Sequence, residues 1–169
     1  NKFKKMGWEK IIAFQTRNPL HKAHVEMTVR AMKDFNANLF LHPVIGQTKP
    51  GDIDHFTGVR CYEHVMKKYP AKKVLLALLP LSMRMGGPRE ALMHAIIRKN
   101  YGCSHFWVGR DHAGIKNFYG YRQSQNFCFK NQKKLNIKII PGNEPFYCLN
   151  CNIIKNKKCL STKCINKHK

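Results

Sequence analysis

The sequence predicts an α/β protein built on a Rossmann-like parallel sheet, and three observations carry that reading. Five short apolar runs of strand length alternate with stretches that repeat apolar residues three and four apart. One of those runs, Lys73-Val74-Leu75-Leu76-Ala77-Leu78-Leu79, is apolar at consecutive positions, so both of its faces need cover. The strict order of strand then helix favours parallel pairing through right-handed crossovers.

The elements follow in order. A first strand over residues 10–14 ends at the turn-forming Arg17-Asn18-Pro19. Helical spacing then covers 21–35, with Thr28, Ala31, Met32 and Phe35 at i, i+3, i+4 and i+7. A second strand over 38–45 closes at Gly46, and a polar loop over 47–55 leads into a helix over 56–69, stopped by Pro70. The third strand is the apolar run 73–79, which reads as a central strand of the sheet. A Met-rich loop runs to Gly86-Gly87, and Pro88, suited to a first helical position, opens a helix through about residue 99. A fourth strand at 106–109, a weaker helix at 124–135 and a fifth strand at 137–140 bring the alternation to Pro141. Beyond it the pattern stops in a Cys- and Lys-rich tail. Two domains are therefore expected, 1–141 and 142–169, and no internal repeat is present.

Composition limits the function classes. A chain of 169 residues with 43% hydrophobic residues can bury one ordinary core and is not wholly disordered. No apolar run approaches ~20 residues, so no membrane-spanning helix and no membrane partner is expected. The chain opens at Asn1 without a Met or a leader, which suggests a piece of a longer, cytoplasmic protein. Net charge is +22, and residues 116–169 hold 12 basic side chains against the single acid Glu144. That excess favours an anionic partner. Nucleic acid is the weaker choice, because Lys dominates without aromatic interleaving or a recognition motif, as on a solvated surface.

Of seven cysteines, Cys61, Cys103 and Cys128 stand alone and read as core residues. Cys148, Cys151, Cys159 and Cys164 crowd into 17 residues. With no sign of an oxidising compartment, a metal site is a better reading than disulfides.

Ligands of open parallel sheets sit outside the carboxyl ends of the strands, and three unusual loops fall there. After the first strand comes Gln15-Thr16-Arg17-Asn18-Pro19-Leu20-His21-Lys22-Ala23-His24. His21 and His24, at i and i+3, share one face of a first helical turn beside a guanidinium, which suits a phosphate. Local capping by the two imidazoles is the plainer alternative. Zinc is disfavoured by the spacing and by the lack of a nearby carboxylate. After the fourth strand comes Gly109-Arg110-Asp111-His112-Ala113-Gly114. There Gly109 and Gly114 would permit close backbone approach to a ligand, while a tight turn capped by Asp111 is the alternative. The loop from Pro80 to Arg89 offers Arg84 and Arg89 to an oxyanion. Its Met83 and Met85 suit a base pocket or, more often, core packing.

Taken together, the first two motifs resemble the ATP sulfurylase (sulfate adenylyltransferase) family. His42-Pro43-Val44-Ile45-Gly46, Thr48-Lys49-Pro50-Gly51-Asp52 and Ala95-Ile96-Ile97-Arg98-Lys99-Asn100-Tyr101 strengthen the likeness. It runs almost unbroken from Glu9 to Gly114 and less firmly to Cys164. The resemblance implies a sheet of the nucleotidyltransferase type and the reaction of ATP with sulfate to adenosine 5′-phosphosulfate and pyrophosphate. By the same resemblance Gln15, Arg17 and the Ala113 backbone meet sulfate. Thr16, Arg17, Asn18, His21 and His24 are catalytic, and Gln15 to Asn18 with Gly109, Arg110, Asp111 and His112 hold the nucleotide. Mg2+ is expected to arrive with ATP, and a homo-oligomer is expected. The same site would serve the reverse reaction, making ATP.

Phe146-Tyr147-Cys148-x-x-Cys151 resembles a zinc insertion of a bacterial-type branch. Structural Zn2+ is therefore expected on Cys148, Cys151 and Cys159, with Cys164 or His168 as fourth ligand. The chain departs from the family in the short stretch between Gly114 and Phe118-Tyr119-Gly120, where a longer Gly-, Lys- and Ser-containing loop is usual. An amino-terminal β-rich domain and a carboxyl-terminal segment of the family are expected to lie outside this chain.

Overall fold

The computed structural model describes residues 2–46, 53–143, 145–149 and 151–155. A short helix α1 (Lys2–Lys5) precedes β1 (Ile11–Phe14), α2 (Lys22–Asp34), β2 (Asn38–Leu41) and α3 (His55–Met66). Then come β3 (Val74–Leu76), α4 (Gly87–Asn100), β4 (His105–Val108), α5 (Gln123–Leu135) and β5 (Lys138–Pro141). The hairpin β6 (Phe146–Cys148) and β7 (Ile153–Lys155) follows.

The first five strands form one parallel sheet in the order β3-β2-β1-β4-β5. The pleat sorts side chains to the two faces. Ile11 and Ala13 pack with Ala91, Ala95 and Cys128 on the side of α4 and α5. Ile12 and Phe14 pack with Met27, Ala31 and Tyr62 on the side of α2 and α3. Every residue of β1 and β4 is buried, and each large apolar side chain so covered contributes about 1.5–3 kcal/mol. Chain order reverses between β1 and β4, which lie side by side with their following helices on opposite faces. A crevice opens at the carboxyl ends of strands at such a point.

Element type and order agree with the sequence reading, with local corrections. The third strand is at the sheet's edge instead of its centre, and is short. Its continuous apolar run has another cause: Leu75 and Ala77 pack into one core while Val74 and Leu76 pack into the other. Both faces are covered although one edge is open. The second strand ends at Leu41, and Val44 makes only an isolated parallel bridge to Leu79. Pro88 is second in α4, behind Gly87. The sequence reading omitted α1, β6 and β7.

The β6–β7 pair is antiparallel, and Arg30 Nη2 of α2 donates to the Ile154 carbonyl at 3.2 Å, tying the hairpin to the domain. Cys159, Cys164 and His168 lie outside the described residues, as does the motif at 48–52. Among the described residues no helix is long and apolar enough to cross a membrane.

Candidate active site

Gln15 continues the alternation of β1, so its side chain leaves on the α4 face. Its Nε2 donates to His94 Nδ1 at 3.0 Å and lies 3.7 Å from Met83 Sδ. The next three residues close on themselves. Thr16 Oγ1 donates to the Asn18 carbonyl at 2.8 Å and accepts the Asn18 N–H at 3.1 Å. Tyr62 of α3 donates to the same carbonyl at 3.1 Å, and burial pushes its hydroxyl up to about 12, so it stays a donor. The loop is thus fixed from below before α2 begins.

At the head of α2 the His21 and His24 rings lie 3.9 Å apart between centroids. The His21 backbone N–H points to His24 Nδ1 at 3.5 Å, which leaves the proton of a neutral ring on Nε2. Burial, with His21 adding to it, lowers His24 to about 4, so the imidazole is neutral at physiological pH. Local packing of the pair is therefore present, yet His24 also lines the crevice. His21 is exposed and faces the groove between α2 and α3 instead.

The loop after β4 is held from two sides. Ser124 Oγ donates to the His112 carbonyl at 2.9 Å, and the Ala113 carbonyl accepts the Gly87 N–H at 2.9 Å. Ala113 takes a left-handed conformation with φ of 56°. A Cβ on Gly114 would run into the Asp111 carboxylate, so this glycine closes a turn against Asp111. A Cβ on Gly109 would meet open space, in keeping with its place on the crevice wall. Burial, followed by the charge of Arg98, lowers His112 to about 3.

The crevice has a volume of about 280 Å³. Gln15, Thr16 and His24 form one wall, and Arg110, Asp111 and His112 the other. Gly142 and Asn143 close it beyond β5, where Gln125 Nε2 bonds the carbonyls of Val108 at 2.9 Å and Gly142 at 2.7 Å. Met83 reaches Gln15 from the third loop, while Arg84 and Arg89 are exposed and lie outside the crevice wall. Arg17 and Asn18 are also outside that wall. The arrangement presents one neutral imidazole donor, His24, and a guanidinium, Arg110, to a small anionic ligand at strand ends. A larger groove of about 780 Å³ between α2 and α3 contains no residue of the 109–113 loop.

Sequence reasoning missed a polar line along α4. Glu90, His94 and Arg98 are buried, with Glu90 accepting the N–H groups of Arg84 at 2.8 Å and Gly86 at 2.7 Å. Arg98 Nη2 donates to the His42 carbonyl at 3.1 Å, while its Nε and Nη1 have no hydrogen-bond partner. Desolvation lowers Arg98 only to about 10, so it stays cationic. Spacing at i, i+4 and i+8 on the sheet-facing side of a helix was the signal for this line.

Among the described residues no group of three His, Cys, Asp or Glu could hold a metal ion. Cys148 and Cys151 do flank the β6–β7 turn, with the Cys151 N–H donating to the Cys148 carbonyl at 3.2 Å.

Comparison with known proteins agrees with this geometry. The ATP-sulfurylase family model matches residues 1–169. A sulfate adenylyltransferase of Phaeosphaeria nodorum is 56% identical over 151 residues, covering 86% of this chain and 26% of its own. That of Yarrowia lipolytica is 56% identical over 145 residues, covering 82% of this chain and 25% of its own. The chain thus spans about a quarter of the length of the curated relatives it matches. Among solved structures, the hexameric APS kinase from Thiobacillus denitrificans superposes with a TM-score of 0.75 at 26% identity. That match covers 92% of this chain and 29% of the other. A family match over the whole chain, and relatives above half identity, show that this chain belongs to the ATP-sulfurylase family.

Proposed function

We propose that the chain is the catalytic core of a sulfate adenylyltransferase, which joins ATP and sulfate into adenosine 5′-phosphosulfate and releases pyrophosphate. One observation carries the proposal: the loops after β1 and β4 meet in one crevice at the point where strand order reverses. Those loops hold the residues that the family resemblance assigns to sulfate and nucleotide.

In the proposed reaction a sulfate oxygen attacks the α-phosphorus in line, and the bond to the pyrophosphate oxygen breaks. Sulfate is fully ionised near pH 7, so no base is needed, and catalysis rests on positioning and charge. Gln15, Arg17 and the Ala113 backbone would hold sulfate. His24 donates from Nε2 to the phosphoryl oxygens, where negative charge grows, and His21 supports it. Thr16 and Asn18 shape the loop, while Gly109, Arg110, Asp111 and His112 hold the nucleotide. Arg17 stands outside the crevice wall, so its role requires a turn of its side chain when substrate enters. Mg2+ would come with ATP and offset phosphate charge. Glu90, the buried carboxylate nearby, is committed to backbone N–H groups.

The proposal extends to a second domain at 142–169 with a structural zinc. The fungal relatives lend no support to a bacterial-type zinc branch; the support is local. A turn carrying Cys148 and Cys151 between two short strands suits two of four thiolate ligands. Cys159 would be the third, with Cys164 or His168 the fourth. A homo-oligomer in the cytoplasm completes the reading; the hexameric structural neighbour supports the oligomer alone. The test is pyrophosphate release from ATP by the complete protein with and without sulfate. Sulfate-dependent release is expected, and release indifferent to sulfate would overturn the assignment.

A further inference from the structure

We propose that His94 is a positioning residue that couples the sulfate loop to the nucleotide loop, so that each substrate favours the other. The inference rests on the reading of the crevice given above and goes beyond it, since His94 touches neither substrate there.

His94 is fully buried on α4, behind the crevice. Its Nδ1 lies 3.0 Å from Gln15 Nε2 and also 3.0 Å from His112 Nε2. An imidazole nitrogen has one in-plane bonding direction, so it cannot give both partners a full-strength bond. Gln15 belongs to the loop after β1 and His112 to the loop after β4, and this ring is where the two compete. The other nitrogen, Nε2, is 3.6 Å from Glu90 Oε1, too far for a full hydrogen bond, and has no other partner. Nothing else therefore absorbs a change at Nδ1. Buried Arg98 lies one helical turn further along α4 and helps burial keep both His94 and His112 neutral.

The consequence follows from the geometry. Gln15 spends its two amide N–H groups on His94 Nδ1 and, more weakly at 3.7 Å, on Met83 Sδ, and its Oε1 is buried without a partner, so neither N–H is spare. Sulfate accepts hydrogen bonds only, so binding it turns the amide N–H groups away from His94. Nδ1 then serves His112 alone, which steadies the nucleotide loop. Nucleotide binding that draws His112 onto Nδ1 likewise releases Gln15 toward sulfate. Linkage makes the effect reciprocal.

The test is a grid of initial rates for the complete protein with both substrates varied, for wild type, His94→Leu and His94→Asn. In the wild type the KM for sulfate should fall several-fold as ATP rises to saturation. His94→Leu keeps volume but removes Nδ1; it should abolish that dependence and raise both KM values about tenfold, with less effect on kcat. His94→Asn returns an amide near the Nδ1 position and should restore most of the dependence. A structural role alone would lower Tm while leaving the ATP dependence of the sulfate KM intact. That dependence persisting in His94→Leu, or absent from the wild type, overturns the coupling. Should His94→Leu fail to fold, the wild type decides by imidazole ¹⁵N resonances. Sulfate alone must shift His112 Nε2, and an unmoved signal overturns the proposal. Wild type without sulfate-dependent pyrophosphate release is a different result: it removes the reading of the crevice, and the coupling falls with it.

Discussion

The Glu90 carboxylate accepts the backbone N–H of Gly86 at 2.7 Å, four residues before it, and thereby folds the loop after β3 onto the head of α4. The second oxygen takes the Arg84 N–H at 2.8 Å. Both bonds are charge-assisted and largely shielded from water, and such bonds contribute about 1.5–3 kcal/mol each. Glu90→Ala should lower stability by roughly 3 kcal/mol. Glu90→Gln, which keeps one acceptor, should lose about half as much. Urea unfolding of the three proteins measures this. Equal stability of Glu90→Ala and wild type would mean that the loop is held by other contacts.

Gly87 and Tyr119 join the third loop to the segment after Gly114. Gly87 has a φ of 55°, and a Cβ there would sit 2.5 Å from the Tyr119 ring. Gly87→Ala thus meets both a left-handed backbone penalty of about 1 kcal/mol and a ring that must move. Adding Tyr119→Ala should recover the steric part and leave the backbone part. The prediction fails if the two substitutions prove additive in a double-mutant cycle.

Zinc is expected in the complete protein purified without chelator, bound through Cys148, Cys151, Cys159 and either Cys164 or His168. Replacing Cys148 with Ser should remove the metal signal in X-ray fluorescence. Replacing Cys164 or His168 in turn identifies the fourth ligand. Protein with no zinc before any substitution would end this part of the proposal.

The five strands of the parallel sheet, the helices α2 to α5 and the two main loops were legible because each follows from local rules of period, turn residues and strand ends. The elements α1, β6 and β7 were not. Thr28, Ala31 and Met32 are buried as their spacing requires, and Cys103 and Cys128 are core residues, while Cys61 on α3 is only half-buried. The place of β3 was not legible. An apolar run reports that both faces are covered, which α-helices on each side can achieve at an edge as well as at the centre. Gly114 reads alike whether a ligand or Asp111 comes close to it. The buried line of Glu90, His94 and Arg98 escaped notice because polar residues on a helix are ordinarily read as its solvated side. Their spacing at i, i+4 and i+8, together with the small residues beside them, Gly87, Ala91 and Ala95, was the hint that this side faces the sheet.

His24 and Arg17 should separate in kinetics. If His24 donates mainly in the transition state, His24→Ala should lower kcat by ~10²–10³ and leave the KM values nearly unchanged. Arg17→Ala should raise the KM for sulfate as well, because it would hold the ground-state anion. Should His24 only pack beside His21 and Phe14, its loss would lower Tm and spare kcat. Steady-state constants and thermal midpoints of both variants in the complete protein distinguish these outcomes.

Acid should destabilise the fold well above the range where carboxylates titrate. Burial, helped by charged neighbours, lowers four imidazoles: His24 to about 4, His42 to about 3, His94 to about 2 and His112 to about 3. In the unfolded chain each titrates near the ordinary value of 6.5. Below that pH the unfolded state binds protons that the native state refuses, so stability falls as pH drops from about 6.5 toward 3. Above 6.5 these groups contribute no slope. Each fully buried one adds about 1.4 kcal/mol per pH unit once well below its unfolded value. His42 offers the cleanest check. It is fully buried between Phe40 and Tyr101, and neither ring nitrogen has a partner. His42→Phe removes one titrating group together with two unsatisfied polar atoms. It should fold at neutral pH with little loss and show a shallower fall in Tm between about pH 6.5 and 5. A His42→Phe variant with the wild-type slope would mean that His42 is protonated in the native state, and its burial could not then be the source of acid sensitivity.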